Sequence, residues 1–325
     1  VIRKFLNKGA AIGLMALMST VVVAQTTYPE RPITLVLPFA AGSATDGATR
    51  LIAADTQKTL GQPLVMENRA GADGIIATQY VQRAKPDGYT LLVSTNSAHG
   101  SNPSIYKSLP YDPIKDFIPI AGLIRIPMVM VVKSDFPANN LADFVKIAKE
   151  RTASESLSYG VGNTSNLVAG ELFKSKVGVD LLQVQYKSTP PALQDLIGGR
   201  VDVMFVDPYS AAAFLSSGQL KPFAVFDSHR HALYPDVPTM AELGFDGMDV
   251  VSWAGVFAPA GTPDDIVAKL STAFNASLKK DTVKQSIQNI AMTPLLLEPG
   301  QMADFVSREL SWWADLVKIA HIPLK

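Results

Sequence analysis

Two stretches of the chain combine a short apolar strand with a run of small and hydroxylated residues that opens a helix. They are ITLVLPFAAGSATDGATR (residues 33–50) and SYGVGNTSNLVAGELF (residues 158–173). Such a layout leaves the first backbone N–H groups of the helix without intrahelical partners, and no large side chain blocks approach. The chemistry on offer is therefore capture of a small anion. A single loop of this kind is commonly mere strand-to-helix punctuation. Two of them, in separate parts of the chain, imply a ligand gripped from both sides. Asp46 fits two roles, a charge matched to the start of its helix, worth about 0.3–1 kcal/mol, or a ligand contact, while Arg50 fits packing or pairing. Lys187 and Asp207 each follow a strand, at the edge where open α/β sheets bind ligands. His99 is the histidine expected near that edge, whereas Trp253, Trp312 and Trp313 fit core or interdomain packing.

Catalytic motifs are mostly absent. The sequence has no G-x-S-x-G elbow, no H-E-x-x-H, no Walker A loop and no cysteine. Its four histidines (His99, His229, His231, His321) lack the i, i+4 spacing of a helical zinc pair, so no metal site is expected. Residues 160–165, GVGNTS, miss the dinucleotide fingerprint because Ser165 stands where the third glycine belongs, and no cofactor is expected. Lys plus Arg and Asp plus Glu number 29 each, a zero formal charge that gives no support to nucleic-acid binding.

The elements that must position these residues read as alternating strands and helices, which predicts α/β layers with largely parallel sheets. Arg3, Lys4 and Lys8, the uncharged apolar run 10–23 and the small residues 22–24 form the pattern of a secretory signal peptide cleaved after Ala24, predicting a periplasmic protein. The absence of cysteine excludes a lipid thioether and disulfide staples. About 300 mature residues exceed what one core usually serves, so two lobes are expected. Strands are expected at 33–37, 64–69, 89–93, 157–159, 182–186 and 201–206. Helices are expected at 75–83, 140–150, 191–197, 264–279 and 300–320, together with one capped by Thr45 or Asp46 and ending near Gly61. The third of these strands delivers Thr95, Asn96 and Ser97 to the same edge as the first loop. The chain is expected to cross between lobes within 119–132 and again within 249–258, giving residues 25–125 and 255–325 to a discontinuous lobe 1 and 126–254 to lobe 2.

With these residues assembled, the chain resembles the Bug family, the extracytoplasmic solute-binding proteins of tripartite tricarboxylate transporters. The carrying segments are PFAAGSATDGATR (38–50), ENRAGADG (67–74), KPDGYTLL (85–92), LPYDPIKDFIPI (109–120) and YGVGNTSNLVAGE (159–171). They continue with VQYKSTPPALQDLIGGRVDVMF (184–205), YPDVPTMAELG (234–244) and WAGVFAPAGTP (253–263), eight segments in the family's order. The resemblance implies an α/β, two-lobed periplasmic binding protein of the type II-like, Venus-flytrap kind with two crossing hinge strands, and not an enzyme. Carried over by position, Phe39, Ala41, Gly42, Ser43, Thr45 and Asp46 would form the first-lobe loop, with Thr95, Asn96 and Ser97 beside it. Tyr159, Asn163, Thr164, Ser165, Lys187 and Asp207 would face them. The chain departs from the family pattern at Gly42-Ser43 for Gly-Gly, at Tyr186-Lys187-Ser188 for Tyr-Lys-Gly, and at Asn166 for His. The implied partners are a small carboxylate ligand, with a compact aliphatic or aromatic dicarboxylate expected from the two anion loops, and a permease of one large and one small membrane subunit. The receptor itself is expected to be a monomer. The same fold would serve a ligand-sensing adaptor for a membrane sensor kinase, and a third reading is an exported serine hydrolase using Ser43 or Ser165.

Overall fold

The computed structural model describes residues 28–325, and the expected signal peptide lies outside the described residues. Strand and helix alternate from the start through β1 (Ile33–Leu37), α1 (Ala44–Leu60), β2 (Leu64–Asn68), α2 (Ile75–Gln82), β3 (Thr90–Thr95), the one-turn α3 (Asn102–Ile105) and β4 (Phe117–Ile126). There follow β5 (Val129–Lys133), α4 (Leu141–Glu150), β6 (Ser158–Val161), α5 (Thr164–Val177), β7 (Leu182–Gln185), α6 (Thr189–Ile197), β8 (Val203–Val206), α7 (Pro208–Ser216) and β9 (Leu220–Val225). The last part comprises β10 (Ser252–Pro259), α8 (Asp264–Lys279), α9 (Asp281–Asn289), β11 (Thr293–Pro294) and α10 (Pro299–Ile319).

Two sheets result, one ordered β11-β4-β10-β3-β1-β2 and the other β7-β6-β8-β5-β9. The chain leaves the first sheet at Ile126, enters the second at Val129, and returns to the first at Ser252. Both sheets are mixed, which corrects the expectation of largely parallel ones. β1 runs parallel to β2 and β3, and β6 runs parallel to β7 and β8. The strands adjoining the crossings run against their neighbours: β10 is antiparallel to β3 and β4, and β5 to β8 and β9. A strand that arrives from the other lobe, without a crossover helix of its own, enters the sheet end-first from the cleft side and so points the opposite way.

Helix starts follow side-chain capping. The first residue of α1 is Ala44, because Ser43 takes an extended conformation and its hydroxyl accepts the Asp46 N–H at 3.4 Å. The cap is therefore Ser43 and not Thr45 or Asp46, which corrects that expectation, while the helix ends at Gly61 (φ 72°), as expected. Asn140 caps α4 and Asn163 caps α5 in the same way, each accepting the N–H three residues on. Both faces of each sheet are covered. In lobe 1, Ile33, Leu35, Leu37, Ile52, Leu270 and Phe274 pack on one face, and Val36, Leu92, Phe257 and Met302 on the other. In lobe 2, Phe144, Phe173 and Phe205 fill one face, with Leu193, Leu196 and Met204 on the opposite side. α10 spans the two lobes, with Met302 and Val306 in a lobe-1 cluster and Trp313, Leu316 and Val317 in the lobe-2 cluster. No helix among the described residues is long and apolar enough to cross a membrane.

Candidate functional site

The C-terminal ends of the parallel strands of both sheets meet across one cleft. On the lobe-1 side β1 runs into the loop before α1, and Asp46 folds back to fasten that loop. Its carboxylate accepts the Gly42 N–H, Arg50 Nε and Asn68 Nδ2, each at 3.0 Å, and Asn68 also donates to the Phe39 carbonyl at 2.9 Å. Burial alone would raise the Asp46 pKa, but the bonds from Arg50, Gly42 and Asn68 outweigh it and hold the group below the usual carboxylate range. Asp46 and Arg50 thus form a pair that shapes the loop.

On the lobe-2 side Asn163 Oδ1 caps α5, while buried Asn166 accepts the Gly162 N–H at 3.0 Å and donates to the Phe205 carbonyl at 2.7 Å. The residue that departs from the family's histidine therefore braces the second loop. A Cβ on Gly162 would stand 2.4 Å from the backbone nitrogen of Thr189, so glycine is required for the loop before α5 to lie against the start of α6.

Between the lobes lies a cavity of about 20 Å³, lined by Phe39, Ser43, Ala44, Thr45 and Ser97 from lobe 1 and by Asn163, Thr189 and Asp207 from lobe 2. Ile126, Met128 and Ser252, from the two crossings, complete the lining. That volume holds about one water. Four helices begin at this wall: α1 after Ser43, α5 after Asn163, α6 at Thr189 and α7 after Asp207. Each N-terminus carries roughly half a positive charge, and no lysine or arginine enters the lining. α6 and α7 carry Pro190-Pro191 and Pro208 in their first turns, which have no N–H to offer, and Asp207 matches the charge of α7, so the backbone donors come mainly from α1 and α5.

The lobes also touch directly. Asn96 Nδ2 donates to Ser165 Oγ at 2.7 Å, Ser165 donates to Ser252 at 3.3 Å, Ser252 donates to Asn96 Oδ1, and Thr164 donates to Asn102 at 3.3 Å. Tyr209 of α7 lies on α1, where a Cβ on Gly47 would come within 2.2 Å of its hydroxyl oxygen.

Of the residues expected at the site, Phe39, Ser43, Thr45, Ser97, Asn163 and Asp207 line the cavity. Asn96, Thr164 and Ser165 make the bonds between lobes. Asp46 sits behind the first loop, Ala41 and Gly42 are exposed on its outer turn, and Thr95 is buried behind the cavity wall. Tyr159 is buried in the lobe-2 core with its hydroxyl donating to Glu171 at 2.5 Å; burial, and after it that bond, drives its pKa upward. Lys187 is exposed in the turn before α6 and does not line the cavity. His99 is fully buried between Phe117 and Phe257, and burial pushes its pKa down to about 3. Ala44, Ile126, Met128, Thr189, Tyr209 and Ser252 were not singled out as site residues. Thr189, at the first turn of a helix that follows a strand, carried a usable signal. The crossing residues did not, because nothing local marks which face of a crossing strand meets the cleft.

Two mixed α/β lobes joined by crossing strands, with helix N-termini converging between them, define a solute-binding receptor of the periplasmic type. The model of the tripartite tricarboxylate transporter family receptor matches residues 48–322, and the chain belongs to that family. Among solved structures it is similar to Rpa4515 of Rhodopseudomonas palustris with adipate (35% identity, TM-score 0.88, covering 92% of this chain and 100% of that one). It is similar also to the periplasmic binding protein BugD (34%, TM-score 0.86, 92% and 100%). A third is MatC of the same Rhodopseudomonas with bound malate (36%, TM-score 0.83, 89% and 100%).

Proposed function

We propose that this chain is a periplasmic receptor that captures a small organic dicarboxylate, aliphatic or aromatic, and delivers it to a membrane permease of the tripartite tricarboxylate type. The observation that carries the reading is the convergence of four helix N-termini, one from lobe 1 and three from lobe 2, on a single cavity. Donors on opposite walls suit a ligand with an anionic group at each end. The adipate and malate held by similar proteins are of that class. We read Ser165 as a closing residue and not as a nucleophile, since its hydroxyl is engaged by Asn96 and Ser252 with no base beside it. The expected ligand-exchange motion is a hinge at the two crossings. The boundaries expected at 125/126 and 254/255 shift by one to three residues, because Ile126 and residues 252–254 pair within the first sheet, so the moving lobes are residues 28–126 with 252–325 and residues 127–251. Purified protein incubated with a panel of carboxylates is expected to gain thermal stability with one or a few dicarboxylates and to return them unchanged. Formation of a product would overturn the reading.

A further inference from the structure

Asp207 is the one ionisable residue in the cavity lining, and it stands where an anion is to be bound. It is 4% exposed, and its Oδ1 accepts the Ser210 N–H at 2.7 Å as the cap of α7. Among the described residues no cation pairs with it. The charged and titratable groups facing it are few. Across the cleft Asp46 is already neutralised by Arg50 at 3.0 Å, Tyr209 follows it on α7, and Lys187 before α6 is turned to solvent. The dipole of α7 is matched by Asp207 itself, which leaves three helix N-termini to hold a ligand.

A dicarboxylate entering as a dianion would bring the local charge, with Asp207 ionised, to three negatives. Two carboxylates that face each other in a buried space cannot both stay ionised, and one proton between them removes the conflict as a short, charge-assisted hydrogen bond. We propose, resting on the carboxylate-receptor reading above, that Asp207 is the specificity-determining residue of the cleft. Its carboxyl group shares one proton with the second carboxylate of the bound ligand, so that binding takes up a proton from solvent. No bond other than that O–H forms, and the ligand leaves with the protons it had. Burial pushes Asp207 upward against its bond from the Ser210 N–H, in the direction that retains the proton.

The sign follows from linkage. Uptake of a proton on binding makes affinity fall as pH rises, by up to about tenfold per pH unit between the pKa of Asp207 in the free protein and that in the complex. The experiment is calorimetric titration from about pH 6.5 to about pH 9, above the range in which the probes' own carboxyl groups titrate in solution and within that of a strongly raised buried carboxyl. Adipate and malate serve as probes, together with the dicarboxylate of the panel that stabilises most, each in two buffers of different ionisation enthalpy. Wild type is expected to take up close to one proton per ligand over part of that range. Asp207→Asn keeps a capping oxygen and a donor, and is expected to bind with affinity independent of pH. The proton count on wild type stands as a test even where the variant fails to fold. Affinity and proton count flat across the range, or a pH dependence that survives in Asp207→Asn, overturns the proposal and leaves the receptor reading in place. Absence of binding by every dicarboxylate at every pH overturns both.

Discussion

At the scale of single residues, side chains with one chemical vocabulary divide among three tasks. Ser43 and Asn163 are caps that bring helix N-termini to the cavity, Asp46 and Asn166 are braces behind the loops, and Asn96, Ser165 and Ser252 close the lobes on each other. That a helix starts at such a polar run is legible in sequence, but which residue caps it is not: Thr45 or Asp46 was expected at α1, and Ser43 performs the task. The division between brace and ligand contact is not legible, since Asp46 would look the same in either role. Ser165→Ala leaves the buried Asn96 amide short of an acceptor only when the lobes are together, at a cost of about 1–3 kcal/mol. The expected outcome is a dicarboxylate affinity weakened by that amount in calorimetry while the melting temperature of the ligand-free protein barely moves. Unchanged affinity would remove Ser165 from the closing network.

At the scale of elements, capping separates site from scaffold. Asn140 and Asn163 perform the same task at α4 and α5, but Asn140 stands exposed, away from the cleft, and Asn163 lines the cavity. Replacing either with alanine costs about 0.5–2 kcal/mol of helix stability. In denaturant titrations both variants are expected to lose stability in that range, whereas only Asn163→Ala is expected to weaken ligand binding. Equal loss of binding by Asn140→Ala would mean that cap strength acts on the site through global stability. Several elements were legible because their pattern and punctuation agree. α8 (Asp264–Lys279) lies where its apolar stripe predicts, and α4 and α6 fall within two residues of expectation. α7 and β9 were not foreseen. PYSAAAFLS has no clear stripe, because its small residues pack on lobe 2 while Tyr209 reaches lobe 1. β9 is a short run placed at a sheet edge by its pairing with β5.

At the scale of the whole molecule, the cavity of about 20 Å³ is far smaller than the roughly 300–1,000 Å³ of ordinary ligand sites. Holding a dicarboxylate, and not only admitting it, therefore requires the lobes to stand farther apart than here, with Pro127 and Met128 between β4 and β5 and the residues before Ser252 as the connections between them. α10 limits the motion, since its Trp313, Leu316 and Val317 are packed into the lobe-2 core while its first half packs on lobe 1. A ligand that contacts both walls binds the closed arrangement better and shifts the population toward it. Small-angle scattering is expected to report a smaller radius of gyration at saturating dicarboxylate than in its absence. No compaction would count against hinge closure.

What the sequence determined by itself is whatever follows from local pattern and composition. That includes the alternation of strand and helix, the two glycine- and hydroxyl-rich loops that open helices, the exclusion of cysteine chemistry, and the ordered segments that mark the receptor family. Tertiary structure decided the rest. It made both sheets mixed, because strands arriving from the opposite lobe run against those wound within each lobe. It turned Lys187 to solvent and buried Tyr159 and His99, and it brought Ile126, Met128, Ser252 and Tyr209 to the cleft from segments distant in sequence. It left Asp207 as the ionisable side chain in the cavity lining. Local propensity depends on neighbours within a few positions, whereas burial and the meeting of side chains across a cleft depend on how two separately packed lobes are set against each other.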